Sequence, residues 1–215
     1  MAALTGLLLF KKHKHTAARY FIYFLVYTVF VDLLGNYTNW DFIGSLNLRG
    51  TIFERNYWWY GIFWTIGSAV FYAFYFSRIL ETSLYKKIVR YSGIMFFAGA
   101  ALFIIAYPDL FFNGQRGYVA TASVIVILIC VTLYFIEILQ SDQVLSFYKS
   151  LNFYISISIL IWWLVTTPTN FYELYFIKED SDYVILKWKV YLISNVFMYS
   201  CFTFGLIYSS NKANR

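Results

Sequence analysis

The sequence predicts an all-α fold: a polytopic transmembrane helix bundle with six full spans plus a short N-terminal seventh or interfacial helix. Three observations carry this prediction. Of 215 residues, 60% are hydrophobic and only 13% are charged, whereas a soluble domain carries about a quarter charged residues. The apolar residues fall in unbroken runs of about twenty, the length a helix needs to cross the hydrocarbon core. Only helices and closed barrels satisfy every backbone group in lipid, and the short alternating segments of a barrel are not seen.

The elements follow in order. Residues 1–10, MAALTGLLLF, are apolar but too few to span alone. Their basic cluster comes after the apolar run, the reverse of a signal peptide. They are expected to form a truncated or tilted seventh helix, or an interfacial one. Six spans follow at about 20–37, 57–80, 91–112, 118–140, 149–167 and 187–209. Their flanks are charged or turn-forming: Lys11 to Arg19, Asn36 to Asn39, Glu81 to Lys87, Asn113–Gly114, Ser141–Asp142 and Lys178 to Asp182. Pro168, after Thr166 and Thr167, is expected to end the fifth span. No linker, low-complexity stretch or soluble appendage interrupts residues 1–215, so a single domain is expected.

Basic residues resist translocation and therefore set orientation. With residues 11–19 inside, the inner set is Lys11, Lys12, Lys14, Arg19, Arg78, Lys86, Lys87, Arg90, Lys149, Lys212 and Arg215. The outer set is smaller: Arg49, Arg55, Arg116, Lys178, Lys187 and Lys189. Glu173, Glu179, Asp180 and Asp182 sit on the outer side. The C-terminus is then cytoplasmic, and a complete helix over residues 1–10 would put the N-terminus outside. Trp40, Trp58, Trp59, Trp64, Trp162, Trp163 and Trp188 all fall in the outer half. They form an aromatic belt at headgroup level or line an outward-opening pocket.

Gly61, Thr65, Ala69, Ala73 and Ser77 recur every four residues on the second span. Such small side chains let helix backbones approach closely, in the same chain or in a homo-oligomer. Gly93 and the stretch Ala98 to Ala101 offer a second small patch.

Ionisable groups inside a membrane are expensive and become the first functional candidates. Asp32 lies about two-thirds of the way outward along the first span, with Asn36 one turn later on the same face. Lys187, Lys189 and Arg55 are its candidate partners in a structural ion pair; otherwise Asp32 is a substrate, ion or proton site. Glu137, near the inner end of the fourth span, is expected to be structural, reaching the interface or Arg78. Asn195, in the middle of the sixth span with Ser194 and Ser200 nearby, is expected to bridge helices by hydrogen bonding. Ser156 and Ser158 contribute hydroxyls from the fifth span.

The chemistry of soluble enzymes is not written here. His13 and His15 are the two histidines, both in KKHKH, which reads as a basic loop facing anionic lipid. No HExxH, GxSxG or phosphate-binding loop occurs. Cys130 and Cys201 lie in apolar runs and read as small hydrophobes. A retinal lysine would sit deep in the last span, whereas Lys187 and Lys189 are near its start. The Asn36–Tyr37–Thr38 sequon lies too close to the membrane to read as a glycan site. No enzyme, cofactor, metal or nucleic acid is expected; the partners expected are the lipid bilayer and a membrane protein or second copy of the chain.

The FKK after a short apolar start, the VYTVFVDLLGNY end of the first span and the segment NYWWYGIFWTIGSAVFYAFYF carry a resemblance. FYKSLNFYISISILIWW and SNVFMYSCFTFGLIYSS extend it to the last two spans. Together they resemble uncharacterised short polytopic inner-membrane proteins, with six to seven helices, common in the Bacteroidota. The resemblance implies a bacterial inner membrane and a shortened N-terminal helix, and it supplies no active site. The function expected is a non-enzymatic membrane module that senses, scaffolds or relays. The alternatives are a pore-forming or depolarising effector of bacterial defence, and a small carrier with Asp32 at its site.

Overall fold

The computed structural model describes residues 1–39, 51–112, 117–175 and 181–210. Trp40, Arg49, Asn113, Gly114, Arg116, Lys178, Glu179, Asp180, Lys212 and Arg215 lie outside the described residues, as does the side chain of Glu173. Among the described residues every regular element is a helix. Six helices are long and apolar enough to cross a bilayer: Ala18–Thr38, Tyr57–Ile79, Ser83–Ala106, Gly117–Leu139, Leu151–Thr169 and Asp182–Ser209. The protein is an all-α polytopic bundle. Leu84, Ile94, Met95, Leu102 and Ile105 on the third span and Ile185, Leu192, Ile193 and Val196 on the sixth are exposed, a surface that suits lipid contact.

The spans pack side by side as a bundle. The second packs on the first, third and fourth, the fourth on the fifth, and the fifth on the sixth. The N-terminal helix Ala2–Leu8 packs on both the first and the sixth spans. At about 10 Å long it cannot cross a bilayer. It buries Ala2 and Gly6 and leaves Leu4, Leu7 and Leu8 exposed. It is the short N-terminal helix expected beside the six full spans.

A correction concerns the basic run. His13 is buried, and its Nε2 lies 3.3 Å from the carbonyl of Leu206 on the sixth span. It fastens the N-terminal segment to the bundle rather than facing lipid. Burial lowers its pKa from 6.5, assisted by the charge of Lys12 and opposed by the Leu206 contact. His15 is exposed.

Helix ends differ from expectation for identifiable reasons. The third helix starts at Ser83, because Glu137 on the fourth span accepts hydrogen bonds from the backbone N–H groups of Glu81 and Thr82, both at 2.8 Å. A carboxylate there satisfies donors that a helix start leaves open. Lys86, Lys87 and Arg90 are consequently helical. That helix stops at Ala106, and Pro108 opens a separate short helix, Pro108–Phe112.

Pro168, in contrast, lies inside the fifth helix, which runs Leu151–Tyr175. The hydroxyls of Thr166 and Thr167 bond the carbonyls of Trp162 and Trp163, while the carbonyl that Pro168 leaves without its i+4 donor is that of Leu164. The expected stop at Pro168 does not occur. The sixth helix likewise begins earlier than expected, running Ser181–Ser210.

The small-residue ladder is spent within the chain. Ala69, Ala73, Gly61 and Ser77 are buried, with Thr65 half-buried. A Cβ added to Gly93 on the third span would stand 2.6 Å from the Cβ of Ala73, so only glycine permits this approach. The ladder is a seam between neighbouring spans, the first of the two readings of its spacing. Cys130 is buried, Cys201 half-buried, and both are free thiols.

Candidate functional site at the junction of the first, second and sixth spans

In its inner half the first span meets its neighbours through rings. Phe24 stacks on Phe71 with centroids 4.0 Å apart, Tyr20 meets Phe74 edge-on, and Phe21 meets Phe202 of the sixth span at 4.9 Å. Rings hold helix axes apart where small residues draw them together.

Above this layer the second span changes geometry. Tyr60–Ile66 is a π-helix between Tyr57–Trp59 and Gly67–Ile79, both α. A π segment widens the helix and often marks a functional position. Here the Tyr27 hydroxyl donates to the carbonyl of Phe63 at 2.7 Å. Gly67 admits it, since an added Cβ would stand 2.9 Å from the Tyr27 oxygen. Further bonds join the same two spans: Asn56 Nδ2 donates to Gly35 O at 2.8 Å and Trp59 Nε1 to Val31 O at 2.9 Å. Trp58 Nε1 donates to the Tyr37 hydroxyl at 3.3 Å. These two tryptophans thus have backbone or side-chain acceptors within the protein, more than a belt position requires.

Asp32 sits at this junction. Phe21, Leu25 and Thr28 precede it on one helical stripe, and all three are buried. Residues at such spacings share a face, so Asp32 belongs to the stripe that faces the bundle interior. It is nevertheless exposed. Its electrostatic neighbours are Tyr60 on the second span and Tyr199 on the sixth, and Tyr199 lies against the side chain of Thr28. The carboxylate thus occupies a recess bordered by three spans.

The sequence candidates separate accordingly. Asn36 begins the 3-10 turn after the first helix, one turn beyond Asp32, and is exposed. Asn195 accepts a 2.7 Å hydrogen bond from Trp162 Nε1, joining the fifth and sixth spans as expected for a bridging amide. Lys187 shares the stripe of Tyr191, Asn195 and Tyr199, but lies about 18 Å along the helix from Tyr199. Lys189 faces outward in a shallow groove with Val184, Ile185, Trp188 and Leu192. Arg55 lies over the ring of Tyr57. Among the described residues no ion pair joins Asp32 to a basic side chain. Tyr199 marks the level of Asp32 on the sixth span, and Lys187 and Lys189 stand well beyond it along the helix.

Sequence reasoning missed Thr28, Tyr60 and Tyr199 by treating hydroxyl-bearing residues as packing. The signal available was spacing: Thr28 is one turn from Asp32, and Tyr199 is one turn from Asn195. Among the described residues, no group of three or more His, Cys, Asp or Glu side chains is placed to hold a metal.

No family model matches the chain, and no curated protein or solved structure matches it.

Proposed function

We propose that the protein is a non-enzymatic membrane module whose responsive part is the recess around Asp32. The observation that supports it most is an exposed carboxylate on the inward stripe of a span, without a basic partner among the described residues. A carboxylate held this way gains or loses a proton, or a bound cation, without breaking a structural pair. Tyr60 and Tyr199 border it on the second and sixth spans. A change of charge there acts on the π segment beside it, and the ring-packed first span is the element able to shift. The partner that receives the signal is a second membrane protein or another copy of the chain. The excess of basic residues at the N-terminal end of the bundle supports a cytoplasmic C-terminus, and the resemblance noted above supports a bacterial inner membrane.

The test is fluorescence of the tryptophans at the junction, measured in lipid nanodiscs across pH and with added monovalent or divalent cations. The expected result is a titration in the native chain that Asp32→Asn abolishes. An identical titration in the variant would dismiss the recess as the responsive part.

A second reading, a small carrier with Asp32 at its site, is favoured by the recess lying on the interior stripe. Asp32→Asn would then abolish transport while leaving fold and particle size intact.

A further inference from the structure

Far from the recess, the first and second spans bring two cations together around a pair of rings. The spans run in opposite directions, so Arg19, second in Ala18–Gly35, and Arg78, last but one in Gly67–Ile79, share one end of the bundle. The Arg19 guanidinium lies 4.6 Å from the centroid of the Tyr20 ring, and its Nη2 donates to the Tyr20 hydroxyl at 2.6 Å. Tyr20 meets Phe74 edge-on with centroids 5.3 Å apart. The Arg78 guanidinium in turn lies 5.2 Å from the centroid of Phe74. The row is cation, ring, ring, cation, joined at each step by direct contact.

This row concentrates donors and supplies almost no acceptor for them. A guanidinium carries five N–H donors and a tyrosine hydroxyl one O–H. The Tyr20 oxygen takes a single bond from Arg19. Among the described residues, neither arginine pairs with a carboxylate, and the Tyr20 O–H has no acceptor. Glu137, at the same end, is committed to the N–H groups of Glu81 and Thr82. Arg19 also sits in the first turn of its helix, where the helix dipole disfavours a cation. Rings hold the two guanidinium groups in place but do not neutralise them. An anion would.

The surroundings select the anion. Arg19 and Arg78 are exposed, and so are Tyr23 and Phe74 beside them. Phe10 of the N-terminal segment stands 5.5 Å from Tyr23, ring to ring. An aromatic wall therefore continues from the charges along the outer face of the first two spans. Fixed charge at a span end with an apolar wall beside it matches a phospholipid, phosphate on the guanidinium groups and acyl chain along the rings. The guanidinium fork suits phosphate oxygens, and basic sites between spans on the cytoplasmic side take such headgroups. A free phosphate would use the charges and leave the wall bare.

We propose that Arg19, Tyr20, Phe74 and Arg78 form a binding site for the phosphate of one anionic phospholipid in the leaflet at the basic end of the bundle. The bound lipid ties the first span to the second where rings, not a small-residue seam, join them. The site stands about 20 Å along the first helix from Asp32, so it is independent of the responsive recess.

The test uses the full chain in detergent, with phosphatidylglycerol or phosphatidylcholine added. Native mass spectrometry reads the retained lipid, and thermal unfolding reads the stabilisation that binding confers. One phosphatidylglycerol is expected to stay bound and to raise the midpoint, while phosphatidylcholine does neither. Arg19→Gln and Arg78→Gln should each weaken that retention about tenfold. Lys87→Gln removes the same charge from an exposed position on the third span at the same end and should leave retention unchanged. Unfolding in phosphatidylcholine identifies any variant that is merely misfolded. Arg78→Gln then decides, since that exposed side chain makes no hydrogen bond among the described residues. Equal retention of the two lipids, or full retention in well-folded Arg78→Gln, overturns the site. An equal loss in Lys87→Gln overturns it in favour of diffuse surface charge. A midpoint shift reproduced by inorganic phosphate alone overturns the lipid as occupant.

Discussion

The second span is held on two sides by opposite means. Toward the third span it offers small residues, and Ala73 and Gly93 come so close that a single added methyl has no room. Toward the first span it offers Phe71, Tyr72 and Phe74, with hydrogen bonds from Tyr27, Asn56 and Trp59 to backbone carbonyls. Small-residue packing gains dispersion contacts by excluding everything else, so the seam is tight and chemically silent. Ring packing keeps axes apart, leaves room for polar groups, and admits the recess around Asp32. Rigid attachment and responsiveness are therefore assigned to different faces of one helix.

The largest effect is expected where that contrast is strongest. Gly93→Leu should overpack the seam at a cost of about 3 kcal/mol, read as a lower thermal midpoint in detergent with particle mass unchanged. A shift toward smaller particles with stability retained would show that the seam joins separate chains.

Glu137→Ala should come next. It strips the acceptor from the N–H groups of Glu81 and Thr82 and should cost about 1–3 kcal/mol. Hydrogen exchange should localise the loss to the start of the third helix.

On the ring-packed side, Tyr27→Phe removes one hydroxyl from the π segment and should cost about 1 kcal/mol. Its diagnostic outcome is faster amide exchange over residues 60–67 with little change elsewhere. Equal exchange in both proteins would mean that Tyr27 does not hold the π geometry.

The smallest effect concerns the clasp at His13. Burial lowers its pKa below 6.5, so the docked state binds fewer protons than the undocked one over that interval. The stabilisation is therefore complete above pH 6.5 and is lost as pH falls through the lower docked value. Protection of residues 2–9 from labelling should decline on acidification, and His13→Asn should remove that pH dependence.

These contrasts explain what could be read in the sequence. Hydropathy sees the average environment of a segment, so six spans and the all-α fold were legible. The Gly61 to Ser77 ladder was legible as packing because spacing alone defines it, although spacing does not say whose backbone approaches. Hydropathy is blind to how a proline is accommodated. Pro108 opens a helix and Pro168 lies inside one. It is blind, too, to caps supplied from another helix, which is why the start of the third span was placed too late. Asp32 stood out because a charge in an apolar run is conspicuous. Tyr60 and Tyr199 did not, since among 21 tyrosines only three-dimensional neighbours separate a hydroxyl beside a carboxylate from a ring in a wall.

The claim that the first-span junction carries a responsive carboxylate rather than a structural pair is tested most directly by thermal unfolding of Asp32→Asn across pH. The variant is expected to be as stable as the native chain near neutral pH and to lose the pH dependence contributed by this group. A loss on the order of 3–5 kcal/mol, the cost of stranding a buried cation, largely recovered by neutralising Lys187, Lys189 or Arg55, would contradict it.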